Sequence, residues 1–182
     1  MSFITDIDLY LLDLIQTYIR TPVLDKIMVF ITLLGNGGFI WIIAAVSLSV
    51  IKKYRRCGLS MIIALVFCMM IGNGVLKPYF ARIRPFDLTG FEPLIKRPGG
   101  YSFPSGHTMA AFSCVCAVIF FDRVLGMGVL VLAVLMAFSR MYLYMHYPTD
   151  ILGGIFFGAV FGCSAAWIAK RICARMNLNG TE

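Results

Sequence analysis

The chain has 182 residues, of which 60% are hydrophobic and only 14% charged, with a formal net charge of +7. That balance lies outside the range of soluble globular domains and predicts a chain that lives in a bilayer. The positive charge does not point to nucleic acid, because the basic residues cluster at the ends of apolar runs, where headgroups or a site would meet them.

Residues 3–20 mix Asp6, Asp8, Asp13 and Arg20 with Ile4, Ile7, Leu11, Leu12, Leu14 and Ile15. This amphipathic pattern suits a helix lying in the membrane interface, and Pro22 ends it. The opening MSFITDIDLY has neither a basic n-region nor a cleavage site, so no removable signal is expected. Residues 23–34 are apolar apart from Asp25 and Lys26, and Gly35-Asn36-Gly37-Gly38 breaks the run, which reads as a second interfacial or half-buried helix. The first full span is expected from about Phe39 to Ile51, stopped by the basic cluster Lys52-Lys53-Tyr54-Arg55-Arg56 that marks the cytoplasm. Further spans follow over residues 57–76, 105–121, 124–142 and from Pro148 to Lys170-Arg171, with proline a good first-turn residue. Between the second and third lies a polar loop over residues 77–103, a length that is usually functional or disordered. The fold predicted is all-α, a polytopic transmembrane helix bundle of about five to six spans. Residues 1–182 read as one integral membrane domain, with interfacial or half-buried helices in 1–35 and a transmembrane core in 37–173.

If Lys52 to Arg56 is cytoplasmic, span parity puts Arg123, Lys170, Arg171 and Arg175 on the same side, eight basic residues in all. Lys77, Arg82, Arg84, Lys96, Arg97 and Arg140 fall on the opposite face. Six cysteines lie mostly inside apolar runs without C-x-x-C or zinc spacing and read as small packing residues. Gly154, Gly158 and Gly162 repeat every four residues, the small-x-x-x-small pattern of close helix contact. Packing within the chain is the plainer reading; a homodimer through this face is the sharper one.

The chemistry-bearing residues all fall on the outer face. Lys77 ends a span and Arg84 follows seven residues later, held by Pro85, so a point charge and a planar fork can converge on one phosphoryl group. Read alone, each would be a headgroup anchor. Pro104-Ser105-Gly106-His107 opens a span, where free N–H groups and the helix dipole favour an anion and glycine lets it come close. Alone, Ser105-Gly106 is an ordinary helix cap. His146 and Asp150 are four residues apart across Pro148, so the carboxylate can hold one ring nitrogen and free the other for attack. Alone, such a pair is often a structural hydrogen bond. A metal site is not expected, since the two histidines and one aspartate lack a third clear ligand and sit among cations.

Together, K-x-x-x-x-x-x-R-P from Lys77, P-S-G-H from Pro104 and S-R-x-x-x-x-x-H-x-x-x-D from Ser139 resemble the tripartite signature of the type 2 phosphatidic acid phosphatase superfamily, over residues 77–150. The resemblance implies a phosphatase that needs no metal or other cofactor. It implies His146 as nucleophile, Asp150 as its orienter and His107 as the acid that protonates the leaving oxygen and then activates water. Lys77, Arg84, Ser105, Gly106 and Arg140 are implied to hold the phosphoryl group. Members of this size resemble bacterial lipid phosphatases of the cell membrane with an extracytoplasmic site. That makes a membrane lipid phosphate the expected partner, undecaprenyl diphosphate ahead of phosphatidylglycerophosphate and phosphatidic acid. Two other classes compete: a vanadium haloperoxidase, which vanadate would activate rather than inhibit, and a non-catalytic transporter or scaffold, which would tolerate loss of His146.

Overall fold

The computed structural model describes residues 3–175, which are mostly helical with no strand among them. Helix α1 (Phe3–Leu14) runs on as a π-helical turn, Ile15–Ile19. Thr21 caps α2 (Pro22–Leu34) by accepting the Leu24 N–H at 3.3 Å, and Pro22 stands in the first turn, where its missing N–H leaves no bond unmade. Gly37 and Gly38, at φ +61° and +73°, then carry the chain through a 46° bend into α3 (Phe39–Val50). Only glycine takes that conformation without strain. At twelve residues, α3 rises about 18 Å and cannot cross a hydrocarbon core of about 30 Å alone. The sequence reading starts the first span at Phe39; by length and composition alone, the bent pair α2–α3 passes as one broken crossing or as a re-entrant loop.

Helix α4 (Arg55–Phe67) continues through a π-helical stretch, Cys68–Leu76, into the short α5 (Lys77–Phe80). Helix α6 (Pro85–Thr89), α7 (Gly106–Ile119), α8 (Arg123–Tyr142) and α9 (Pro148–Arg175) follow. The α4-to-α6 stretch, α8 and α9 are each long and apolar enough to cross a membrane. Their outer faces expose Met69, Met70, Val131, Val134, Leu152, Phe156 and Trp167, as expected where lipid replaces water.

Helix α7 is shorter than a full crossing and forms the centre of the bundle, packed against α4, α8 and α9. The glycine row of α9 explains how closely it is held. A Cβ at Gly154 would stand 2.9 Å from the Ser105 carbonyl oxygen, and one at Gly158 2.7 Å from that of Met109. Gly162 meets α7 likewise at Ser113. This face is covered by α7 of the same chain, so it serves internal packing and leaves no room there for a second copy. All six cysteines are free thiols, four of them buried.

Helix α1 presents Phe3, Ile4, Ile7, Tyr10 and Leu11 outward and turns Asp8 into the protein. Its Asp13 accepts from Tyr144 Oη at 2.8 Å, and Asp25 of α2 from Tyr142 Oη at 2.8 Å. An interfacial position fits the apolar side, while the acidic side is a docking face. The polar loop after α5 is also ordered: Ser102 N–H donates to the Arg82 carbonyl at 2.8 Å, and Arg84 Nε to that of Gly100 at 2.9 Å.

Candidate active site

Helices α4 and α8 end, and α7 and α9 start, at the end opposite Lys52–Arg56, with the Gly35–Gly38 bend between α2 and α3 beside them. There a cavity of about 400 Å³ is lined by Lys77, Arg84, Gly106, His107, Arg140 and His146, with Gly35, Asn73 and Gly99 at its polar margin. Ile42, Leu65, Met69 and Ala110 continue it as an apolar wall between α3, α4 and α7.

His146 stands in the turn between α8 and α9 and is 1% exposed. Its Nε2 lies 3.3 Å from Arg84 Nη1. A guanidinium offers donors only, so Nε2 is the unprotonated nitrogen and Nδ1 carries the hydrogen. Nδ1 faces Asp150 Oδ2 and Ser102 Oγ, each at 3.4 Å. The Ser102 hydroxyl donates to the same Asp150 oxygen at 2.5 Å, and Tyr147 N–H to it at 2.9 Å. The imidazole is thereby fixed in one tautomer, its lone pair in the cavity and its N–H against a buried carboxylate. Burial, then the cations Arg84, Arg140 and Lys77, hold its basicity well below the ordinary imidazole value. It stays neutral, the form a nucleophile requires.

The cations are brought in by irregular backbone. The π-helical stretch before α5 delivers Asn73 and Lys77 to the cavity, a use to which such irregular turns are often put. Arg84 precedes Pro85 at the start of α6 in an extended conformation and is buried. Its Nη1 also bonds the Met145 carbonyl at 3.1 Å and its Nη2 that of Gly99 at 3.3 Å. Arg140, at the end of α8, donates from Nη1 to Thr32 Oγ1 at 2.6 Å, while its buried Nε has no protein partner among the described residues.

At the start of α7, Ser105 is fully buried and its Oγ accepts from Thr108 Oγ1 at 3.0 Å, which leaves its own hydrogen free to donate. The first-turn N–H groups open beside it without helical partners. A Cβ at Gly106 would come within 3.5 Å of Lys77 Nζ, so glycine keeps the ammonium close over the helix start. His107 lies in the same first turn, its Nε2 3.2 Å from Asn36 Oδ1. With that oxygen as acceptor, Nε2 carries the proton and can donate it.

All eight residues singled out in the sequence gather at this end of the bundle, with Ser105 and Asp150 one layer behind the cavity wall. Sequence reasoning missed Ser102, Asn36 and the pair Arg82 and Asp8. Arg82 Nη1 lies 2.7 Å from Asp150 Oδ1 and its Nη2 2.7 Å from Asp8 Oδ2. Only the glycine-flanked Asn36 had a visible signal, since a break of this kind between apolar runs reads as a loop. A cationic cavity, a neutral imidazole with a free lone pair and a second imidazole able to donate can together transfer a phosphoryl group.

A family model described as the PAP2 superfamily matches residues 53–173. A phosphatidylglycerophosphatase B of Bacillus subtilis is 35% identical over 153 residues, covering 77% of this chain and 72% of that protein. An undecaprenyl-diphosphatase of Sulfolobus acidocaldarius is 28% identical over 144 residues, covering 78% of this chain and 69% of that protein. The crystal structure described as the first transmembrane PAP2 type phosphatidylglycerolphosphate phosphatase from Bacillus subtilis is similar with a TM-score of 0.69 at 27% identity, over 93% of this chain and 95% of that one.

Proposed function

Because this chain belongs to the PAP2 superfamily, we propose that it hydrolyses the outermost phosphate of a membrane lipid phosphate or diphosphate through a phosphohistidine on His146. The observation that carries the reading is the fixed tautomer of His146, with Nε2 on Arg84 and Nδ1 backed by Asp150 and Ser102. Nε2 attacks phosphorus in line, and a nitrogen–phosphorus bond forms as the bond to the lipid oxygen breaks. His107 gives its proton to that oxygen. It then takes a proton from water, whose oxygen attacks the same phosphorus, breaks the bond to His146 and releases phosphate. Lys77, Arg84, Arg140, Ser105 and the N–H groups opening α7 hold the equatorial oxygens. These fixed donors supply the charge stabilisation that phosphoryl transfer demands, so the reaction is proposed to run without a metal.

The substrate we favour is undecaprenyl diphosphate, with phosphatidylglycerophosphate or phosphatidic acid as the alternatives. The relatives named above act on lipids of this kind, and the apolar wall of Ile42, Leu65, Met69 and Ala110 adjoins the cations. The site is proposed to face outward from the cell membrane, since it lies opposite the heavier basic cluster. Phosphate release by purified protein in detergent with a chelator, compared across the three lipids and against His146→Ala, tests the reading. Release from one lipid that the variant loses supports it; equal release by the variant contradicts it.

A further inference from the structure

We propose that Asp8 of α1 is a positioning residue for the reaction, acting through Arg82 on Asp150 and so on His146. The inference rests on the phosphohistidine reading above and adds to it a part of the chain outside the three motifs.

Asp8 is 1% exposed although it stands on a helix whose other side faces outward. A buried carboxylate must be compensated, and Asp8 is compensated completely. Its Oδ1 accepts Thr149 N–H at 3.0 Å; its Oδ2 accepts Thr149 Oγ1 at 2.5 Å and Arg82 Nη2 at 2.7 Å. Arg82 in turn gives Nη1 to Thr149 Oγ1 at 2.6 Å and to Asp150 Oδ1 at 2.7 Å, with its guanidinium 3.9 Å over the Tyr147 ring. One planar fork therefore divides its charge between two carboxylates, one on α1 and one behind the nucleophile.

The division matters because Asp150 has to polarise the Nδ1–H of His146. An Arg82 held by Asp150 alone would place its whole charge on that carboxylate and weaken its pull on the imidazole. Asp8 takes up the other half of the fork and keeps Asp150 a strong acceptor. The groups facing His146 come from every element around it: Lys77 from α5, Arg84 ahead of α6, His107 from α7, Arg140 from α8, Asp150 from α9 and Ser102 from the loop. Four of these are basic, so the carboxylate side of the ring is where a remote negative charge has most effect.

Asp8→Asn keeps one acceptor oxygen, for the Thr149 N–H, while it removes the charge and the second acceptor, the one that meets Arg82. It should lower kcat about tenfold with KM changed by less than about twofold, and move the acid limb of the kcat–pH profile downward. In protein carrying isotope-labelled histidine, where two histidines make assignment simple, the Nδ1–H resonance of His146 should move upfield. Asp13→Asn cuts another anchor of α1, to Tyr144, and should lower the melting temperature while leaving the profile and the resonance in place. The Asp8→Asn/Arg82→Gln double variant should be no slower than Arg82→Gln alone, since both act on one path. If Asp8→Asn does not fold, Arg82→Lys, which cannot bridge both carboxylates as a planar fork does, carries the same readouts. An Asp8→Asn protein that behaves like Asp13→Asn, or additive losses in the double variant, would overturn the relay. Wild-type protein inactive on every lipid would overturn the phosphatase reading instead, and the histidine resonance would still report on the relay.

Discussion

His146 is buried, neutral and flanked by cations, and its environment makes a prediction about pH whose sign can be worked out. Its basicity is held down chiefly by burial, then by Arg84, Arg140 and Lys77. The neutral imidazole, proposed above as the nucleophile, therefore survives below the ordinary value of about 6.5, and the acid limb of kcat should lie under that pH. In the unfolded chain the ring protonates near its ordinary value while the folded protein resists, so the unfolded state binds more protons as pH falls. The stability this residue contributes is full above about pH 6.5 and is lost progressively below it. Melting temperature should rise with pH from about 5 to 7, and His146→Gln should flatten that rise; an unchanged slope would contradict the assignment. Arg84 serves as a fork rather than a point charge, touching two loop carbonyls, that of Met145 and Nε2 of His146. Arg84→Lys should lower kcat by about 10²- to 10³-fold in the phosphate-release assay while the protein stays folded.

At the scale of elements, the α7–α9 contact decides whether the two histidine-bearing segments meet. Gly158→Leu would drive a side chain into the Met109 carbonyl and Phe112, and should lower the melting temperature markedly and abolish phosphate release together. Gly128 in α8 meets nothing within 4 Å. Gly128→Ala there should leave activity intact and raise stability by about 0.5–1 kcal/mol, which thermal unfolding in detergent would read. Much of this level was legible in the sequence, because apolar runs, Pro148 and the four-residue glycine spacing are local signals. The bend was not: Gly35 to Gly38 looks like a terminus in sequence, and only the structure shows that α3 continues from α2 at an angle of 46°. The motif residues could be grouped in advance because their spacing matches a family signature. Ser102, Arg82 and Asp8 could not, since each gains its role from a partner more than forty residues away.

For the molecule as a whole, the topology places Lys52–Arg56, Arg123 and the end of α9 at one end and the cavity at the other. Lys170 Nζ lies 5.9 Å from the Phe120 ring, which ties the ends of α9 and α7 together there. A cysteine at exposed Tyr101 should react with a membrane-impermeant maleimide in intact cells, and one at Lys53 only after permeabilisation. The reverse pattern would turn the site to the cytoplasm. The apolar wall beside the cations gives a further sense to this placement, since a phosphate carried on a lipid can enter while its tail remains in the bilayer.

The proposed reaction requires His146 to carry the phosphoryl group. The most direct measurement is an acid-and-base stability test of rapidly quenched protein after mixing with terminally labelled undecaprenyl diphosphate, in chelator. A base-stable, acid-labile phosphoryl label should map to His146, form faster than phosphate is released, and be absent from His146→Ala, whose turnover should fall by at least about 10⁴-fold. Steady phosphate release without any labelled protein, or from His146→Ala at the wild-type rate, would contradict it.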